Sequence, residues 1–138
     1  MSGETRRVAL IILHDDEGRI LLQQRTDDAP SLPGVWAYFG GGIEPGETPE
    51  EAVRREAAEE LNATLAAPRM IFERAFALEG RMVHLFVFLD RYIGDKDRLE
   101  LREGKDWGWF PAGEVEGLGM IPRDIIIARA AFRELAAR

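Results

Sequence analysis

Glu56, Glu59 and Glu60 are the residues of this chain whose types and spacing could do chemistry. They fall in residues 41–63, GGIEPGETPEEAVRREAAEELNA, where a glycine-rich stretch leads through a short loop into a helix-forming run. Successive helical residues are about 100° apart, so positions i, i+3 and i+4 share one face. Carboxylates crowded in this way repel unless a cation sits among them. An all-oxygen ligand set suits a hard ion such as Mg²⁺ or Mn²⁺.

The helix that must carry these carboxylates is well marked. Thr48 is an N-cap, Pro49 suits the first helical position, and Glu51 completes a T-x-x-E capping box. Asn62, tolerant of left-handed backbone, ends it. Val53, Ala57 and Leu61 recur every four residues and form the stripe that docks on a core.

Around that helix the chain reads as strands. Residues 8–13 (VALIIL) are a continuous apolar run, and residues 19–25 (RILLQQR) a second strand, expected to form a hairpin with the first through the turn at His14–Gly18. Residues 26–34 are a loop, and residues 36–39 a short strand feeding a turn at Gly40, Gly41 and Gly42. Residues 70–78 and 82–93 are strands joined at Glu79 and Gly80, apolar on both faces. A charged loop over residues 95–105 precedes a last strand at 107–110. A final helix over 124–137 is expected to bury Ile125, Ala128, Phe132 and Leu135 and to face Arg129, Arg133 and Arg138 outward. The order βββαβββα, with a sheet covered on both faces, predicts an α/β fold: an α/β/α sandwich with a mixed sheet.

Composition narrows the function. With 138 residues, 46% hydrophobic and 31% charged, the chain is expected to be one globular domain. It has no cysteine, which excludes disulfides and thiol nucleophiles. The opening MSGETRR has no apolar core behind a basic start and no 18-residue apolar run occurs, so neither secretion nor membrane spanning is expected, and a cytoplasmic location with no membrane partner is. A formal net charge of −7 argues against nucleic acid as a partner. Gly40–Gly42 is not followed by the Lys-Ser/Thr of a P-loop. His84, within an apolar strand, is expected to be a buried packing histidine, and His14 a turn residue; two separated histidines make no zinc site.

The stretch resembles the signature of the Nudix hydrolases, G-x5-E-x7-R-E-U-x-E-E-x-G-U with U a bulky aliphatic. Gly41, Glu47, Arg55, Glu56, Glu59 and Glu60 match it. Asn62 stands where the pattern has glycine, and Ala57 and Ala63 where it has larger aliphatics. The resemblance implies a Nudix-type fold and hydrolysis of the pyrophosphate linkage of a nucleoside diphosphate derivative. A nucleoside triphosphate cleaved to monophosphate and pyrophosphate is the leading substrate, with nucleotide sugars and dinucleoside polyphosphates next. It implies Glu56, Glu59, Glu60 and a backbone carbonyl at Gly40 or Gly41 as ligands of one or more Mg²⁺ or Mn²⁺ ions. It also implies a Glu47–Arg55 ion pair holding loop to helix, a general base from a later loop (Glu103 is the candidate), and a homodimer among the assemblies open to the chain.

Each assignment has a plainer rival. An acidic helix face can be merely solvated, although the spaced Gly41, Glu47 and Arg55 weigh against that here. Glu103 could be a turn residue before Gly104. Arg25 could touch a substrate phosphate or make a surface salt bridge. Asp124 could read a base, as some relatives place a polar side chain there, or simply cap the last helix. Trp36, Trp107 and Trp109 could stack on a nucleobase or pack in the core. A nucleotide-sensing module without turnover and a plain interaction domain are the rival classes.

Overall fold

The computed structural model describes residues 5–137. The expected outward Arg138 lies outside that range. Seven strands form one mixed sheet: β1 (Thr5–His14), β2 (Ile20–Gln24), β3 (Trp36–Ala37), β4 (Phe39–Gly42), β5 (Arg69–Leu78), β6 (Arg81–Arg91) and β7 (Asp106–Phe110). Helix α1 (Pro49–Leu61) packs on one face and α3 (Pro122–Ala136) on the other, with a one-turn helix, α2 (Ala112–Val115), before α3. The architecture is the expected α/β/α sandwich.

Strand β1 is the centre of the sheet and runs parallel to β6, with Val8 opposite Leu85 and Ile12 opposite Leu89. Alternation along both strands divides the core between two layers. Ala9, Ile11, Leu13, Phe86 and Phe88 meet Val53, Ala57 and Leu61 of α1. Ile12, Leu85, Val87 and Leu89 meet Ile127, Ala128 and Ala131 of α3. Apolar residues on both faces were therefore a true signal of two covering layers. The β5–β6 hairpin turns at Glu79 and Gly80, both with positive φ (50° and 79°), as a two-residue type I′ turn requires.

Five expectations change. The β1–β2 hairpin reduces to one paired position, His14 with Ile20, because β4 occupies the same side of β1 from Val8 to Ile11. Strand β2 diverges to pair with β3 and β7 instead. Gly40, Gly41 and Gly42 are consequently strand residues and not a turn. His14 is no turn residue either: it ends β1 and is buried. His84 is only partly buried; its Nε2 lies 2.7 Å from Glu73 Oε2 and its ring stacks on Phe86. On α3 the buried line runs through Asp124, Ile127, Ala128 and Ala131, while Ile125, Phe132 and Leu135 sit at its partly covered margin. The expected stripe was right in Ala128 but rotated, because the apolar residues of α3 wrap around more than one face.

Candidate active site

Helix α1 begins and ends as its sequence predicts. Thr48 Oγ1 accepts from the Glu51 N–H at 3.1 Å, the Glu51 carboxylate accepts from the Thr48 N–H at 2.8 Å, and Asn62 takes the left-handed conformation at φ 56°. Val53, Ala57 and Leu61 are fully buried, which fixes the rotation of the helix. That rotation turns Glu56 and Glu60 toward β4. The Gly40 N–H donates to Glu60 Oε1 at 3.2 Å, and Glu60 shares a hydrogen bond with Glu56. The approach depends on bare backbone: a Cβ on Gly41 would stand 2.9 Å from Glu56 Oε1, and one on Gly40 would stand 2.2 Å from the Ala9 carbonyl oxygen. Gly40 also has φ 137°, a conformation that side chains disfavour.

Arg55 ties this arrangement to the preceding loop. Its Nε and Nη2 reach the two carboxylate oxygens of Glu47 at 2.8 and 2.9 Å, so the expected ion pair is present and bidentate. Arg55 Nη2 also donates to the Gly42 carbonyl at 3.1 Å, and Nη1 to Glu56 at 3.0 Å and Glu59 at 3.4 Å. The guanidinium holds the Glu47 carboxyl down to about 2, helped by the Glu44 N–H.

The three glutamates of the helix differ in setting. Glu59 is 60% exposed, Glu56 is 12% exposed, and Glu60 is buried. Burial, and after it the hydrogen bond to Glu56 and the charges of Glu103 and Glu56, push the Glu60 carboxyl well above the usual carboxylate range. Glu103 is near enough to act on Glu60 because its loop is clamped on both sides. The Glu100 and Arg102 N–H groups donate to the Leu61 and Glu60 carbonyls at the end of α1, and the Lys105 N–H donates to the Gln24 carbonyl of β2.

The remaining candidates are more dispersed. Arg25 lines a small hollow of about 160 Å³ together with Glu103 and Gly104. It makes no surface salt bridge among the described residues; its Nε donates to the Ser31 carbonyl at 2.9 Å. Trp36 packs edge-on against Phe110, with centroids 5.1 Å apart, on the α3 side of the sheet. Asp124 is not the N-cap of α3. Ile121 holds that place, and the Asp124 carboxylate is buried one turn further in, receiving Arg123 at 2.9 Å. Trp109 lies under Lys96, 4.2 Å from its ring centroid.

Two anchors had no signal in the sequence beyond being acidic, Asp15 in a turn-forming run and Asp90 near the end of a strand. Asp15 is buried and accepts from the Glu17 and Arg19 N–H groups, from Arg19 Nε and from Lys96 Nζ. Burial opposes its ionisation, but these donors outweigh burial and bring it to about 2. Asp90 accepts from the Ala66 and Ala67 N–H groups, and so fixes the chain leaving α1 to the end of β6.

The NUDIX domain model matches residues 4–135. The chain belongs to the Nudix family. It is 47% identical to the nucleoside triphosphatase NudI of Escherichia coli O81 (strain ED1a), over 75% of this chain and 81% of that one. The solution structure of the E. coli ORF135 protein superposes with a TM-score of 0.79 at 27% identity, covering 98% of this chain and 94% of that one. A MutT protein from Methanosarcina mazei Go1 shares the fold, with a TM-score of 0.77 at 22% identity over 99% of this chain and 96% of that one. The chain is a Nudix-type pyrophosphohydrolase acting on phosphoanhydride bonds.

Nudix hydrolases generally use a divalent metal ion, and the residues here fit one. Among the described residues no three acidic or histidine side chains already stand as a metal-ligating cluster, since Arg55 lies between Glu56 and Glu59. What the site does hold is a buried carboxyl, Glu60, hydrogen-bonded to a second carboxyl and facing a third. Such a group ionises readily only when a cation joins it. Glu59 stands on the exposed flank, 3.4 Å from Arg55 Nη1.

Proposed function

We propose that this Nudix hydrolase is metal-dependent and cleaves nucleoside triphosphates to the monophosphate and pyrophosphate. The observation that carries the reading is the Glu56–Glu60 carboxyl pair pressed against the glycines of strand β4, with Glu103 facing it. The named activity of the NudI relative supports the triphosphate as substrate class. Glu56, Glu59, Glu60 and the Gly41 carbonyl would hold one or more Mg²⁺ or Mn²⁺ ions. Such ions acidify a water and neutralise charge on the phosphates and leaving oxygen.

The chain supplies positioning and proton transfer. Arg55 keeps Glu47, the Gly42 carbonyl and Glu56 in one rigid unit, so the carboxylates face a fixed point. Glu103 takes the proton of the attacking water as its oxygen bonds to phosphorus and the bridging oxygen departs. Arg25, beside Glu103, meets a phosphate of the substrate. The described chain acts as one domain, and the net charge of −7 weighs against nucleic acid as a partner.

The test is a panel of nucleoside triphosphates, nucleotide sugars and dinucleoside polyphosphates assayed with Mg²⁺ and Mn²⁺. Triphosphates turned over fastest, with pyrophosphate released, is the expected result. Preference for a sugar or dinucleoside substrate would move the substrate class, and tight nucleotide binding without products would make the chain a sensor. Light scattering on the same preparation reads whether it is a homodimer.

A further inference from the structure

Strand β2 buries an amide where its neighbours bury hydrocarbon. Ile20, Leu21 and Leu22 are fully covered, and the next residue, Gln23, is only 5% exposed. Alternation along the strand places it beside Leu21, on the face of the sheet that α1 covers. A buried amide is costly without partners, so what Gln23 touches decides why it is there. Its Nε2 donates to the Tyr38 carbonyl at 3.2 Å, at the residue that separates β3 from β4. Two residues further on, the Gly40 N–H holds Glu60.

The other end of the amide lies against the loop that carries Glu103. A Cβ on Gly104 would stand 2.5 Å from Gln23 Oε1 and 2.9 Å from the Gln24 carbonyl oxygen, so the bare backbone of Gly104 rests directly on β2. Gly104 also has φ 90°, a conformation that side chains rarely adopt. The loop is fastened on either side of that contact. Upstream, the Arg102 N–H donates to the Glu60 carbonyl at 3.0 Å and Arg102 Nη1 to the Ala58 carbonyl at 3.2 Å. Downstream, the Lys105 N–H donates to the Gln24 carbonyl at 2.9 Å and Lys105 Nζ to Asp27 at 2.8 Å. Glu103 and Gly104 are the two residues between these fastenings, and both line the small hollow together with Gln23.

We propose that Gln23 is a positioning residue: by joining the approach to β4 with the seat of Gly104, its side chain sets where Glu103 stands relative to Glu56 and Glu60. The inference rests on the reading above in which Glu103 takes the proton of the attacking water. Proton transfer is lost steeply when the accepting group is misplaced, whereas Gln23 itself meets neither the phosphates nor the metal ligands. Loss of the seat therefore slows the chemical step without weakening substrate binding. Satisfying one carbonyl and filling space would be a purely structural role, and the experiment separates the two.

Gln23→Met keeps the length of the side chain and removes its donor and acceptor. In the metal-free protein, amide exchange at Lys105 followed by NMR is expected to speed up about tenfold or more, with the amides of β1 and β6 unchanged. With Mg²⁺ and the substrate turned over fastest in the panel above, kcat is expected to fall about tenfold or more while KM stays within about twofold. In a Glu103→Gln background the same substitution should change kcat by less than about twofold, because the group it positions is already gone. Unchanged exchange at Lys105, a wild-type kcat, a rise in KM in place of the fall in kcat, or an equal further loss in the Glu103→Gln background each overturns the proposal. Wild-type rates in Glu103→Gln alone would sink the general-base reading and this inference with it, whereas an inactive Glu103→Gln beside an unaffected Gln23→Met would sink the inference alone. Should Gln23→Met fail to fold, Gly104→Ala disturbs the same contact from the loop side. It is expected to show the same fall in kcat, the same steady KM and the same non-additivity with Glu103→Gln, and their absence overturns the proposal.

Discussion

Gly41 and Glu60 show how little latitude single residues have at this site. A Cβ on Gly41 meets the far end of the Glu56 side chain at 2.9 Å, so Gly41→Ala can be accommodated only by displacing that carboxylate. The expected outcome is a protein that folds normally by circular dichroism yet loses about 10²-fold or more in kcat, the scale on which misplaced reacting groups act. Gly40→Ala is different in kind, since its Cβ would collide with the Ala9 backbone, and it should lower the melting temperature sharply. Glu60→Gln and Glu59→Gln are each expected to cut turnover by orders of magnitude while the fold persists, because both remove an oxygen charge that a cation needs. Wild-type rates in either variant would place the metal elsewhere.

At the scale of elements, α1 is the part of the molecule that must not rotate. Its two ends are fixed locally, by the capping box at Thr48 and by left-handed Asn62, whose Nδ2 also reaches the Arg98 carbonyl at 3.2 Å. Asn62→Ala forces a Cβ-bearing residue with no compensating side-chain bond into that conformation. A loss of about 1–2 kcal/mol in denaturant unfolding is expected, with Asn62→Gly milder. The face is fixed by burial, and Leu61→Ala should cost about 2–5 kcal/mol as a cavity opens under the helix. Activity falling more than stability in Leu61→Ala would show that the carboxylates had turned away from β4.

Across the whole molecule, charge sets how stability responds to solution conditions. Glu47 and Asp15 both have carboxyls lowered to about 2 by their cationic and backbone donors. A carboxyl lowered on folding adds stability above its unfolded value and loses it as pH falls toward its folded value. Thermal midpoints are therefore expected to decline from about pH 4.5 down to about pH 2, and less steeply in Glu47→Gln and Asp15→Asn. A flat acid limb in the wild-type protein would refute both anchors. Mg²⁺ or Mn²⁺ should raise the midpoint at neutral pH, since an ion held only by the native site stabilises it. No described helix is long and apolar enough to cross a membrane.

Sequence by itself determined what is local or periodic. The capping box, the Asn62 stop and the Glu47–Arg55 spacing depend on a few neighbouring residues and appear as read, whereas of the i, i+3, i+4 carboxylates only Glu56 and Glu60 come together, with Glu59 held outside by Arg55. Alternation in β6 likewise announced a sheet covered on both faces. Only the tertiary structure decided which strand lies beside which. One side of β1 can pair with β2 or β4, both are chemically able, and β4 takes most of it because its glycines let α1 close down. The same holds for Asp124, Arg123 and Arg74: a helix start and a strand far apart in sequence meet over Phe72 and Phe76. Short-range hydrogen-bond geometry is written in consecutive residues, whereas a cavity arises where separate elements happen to converge, and no local pattern encodes that.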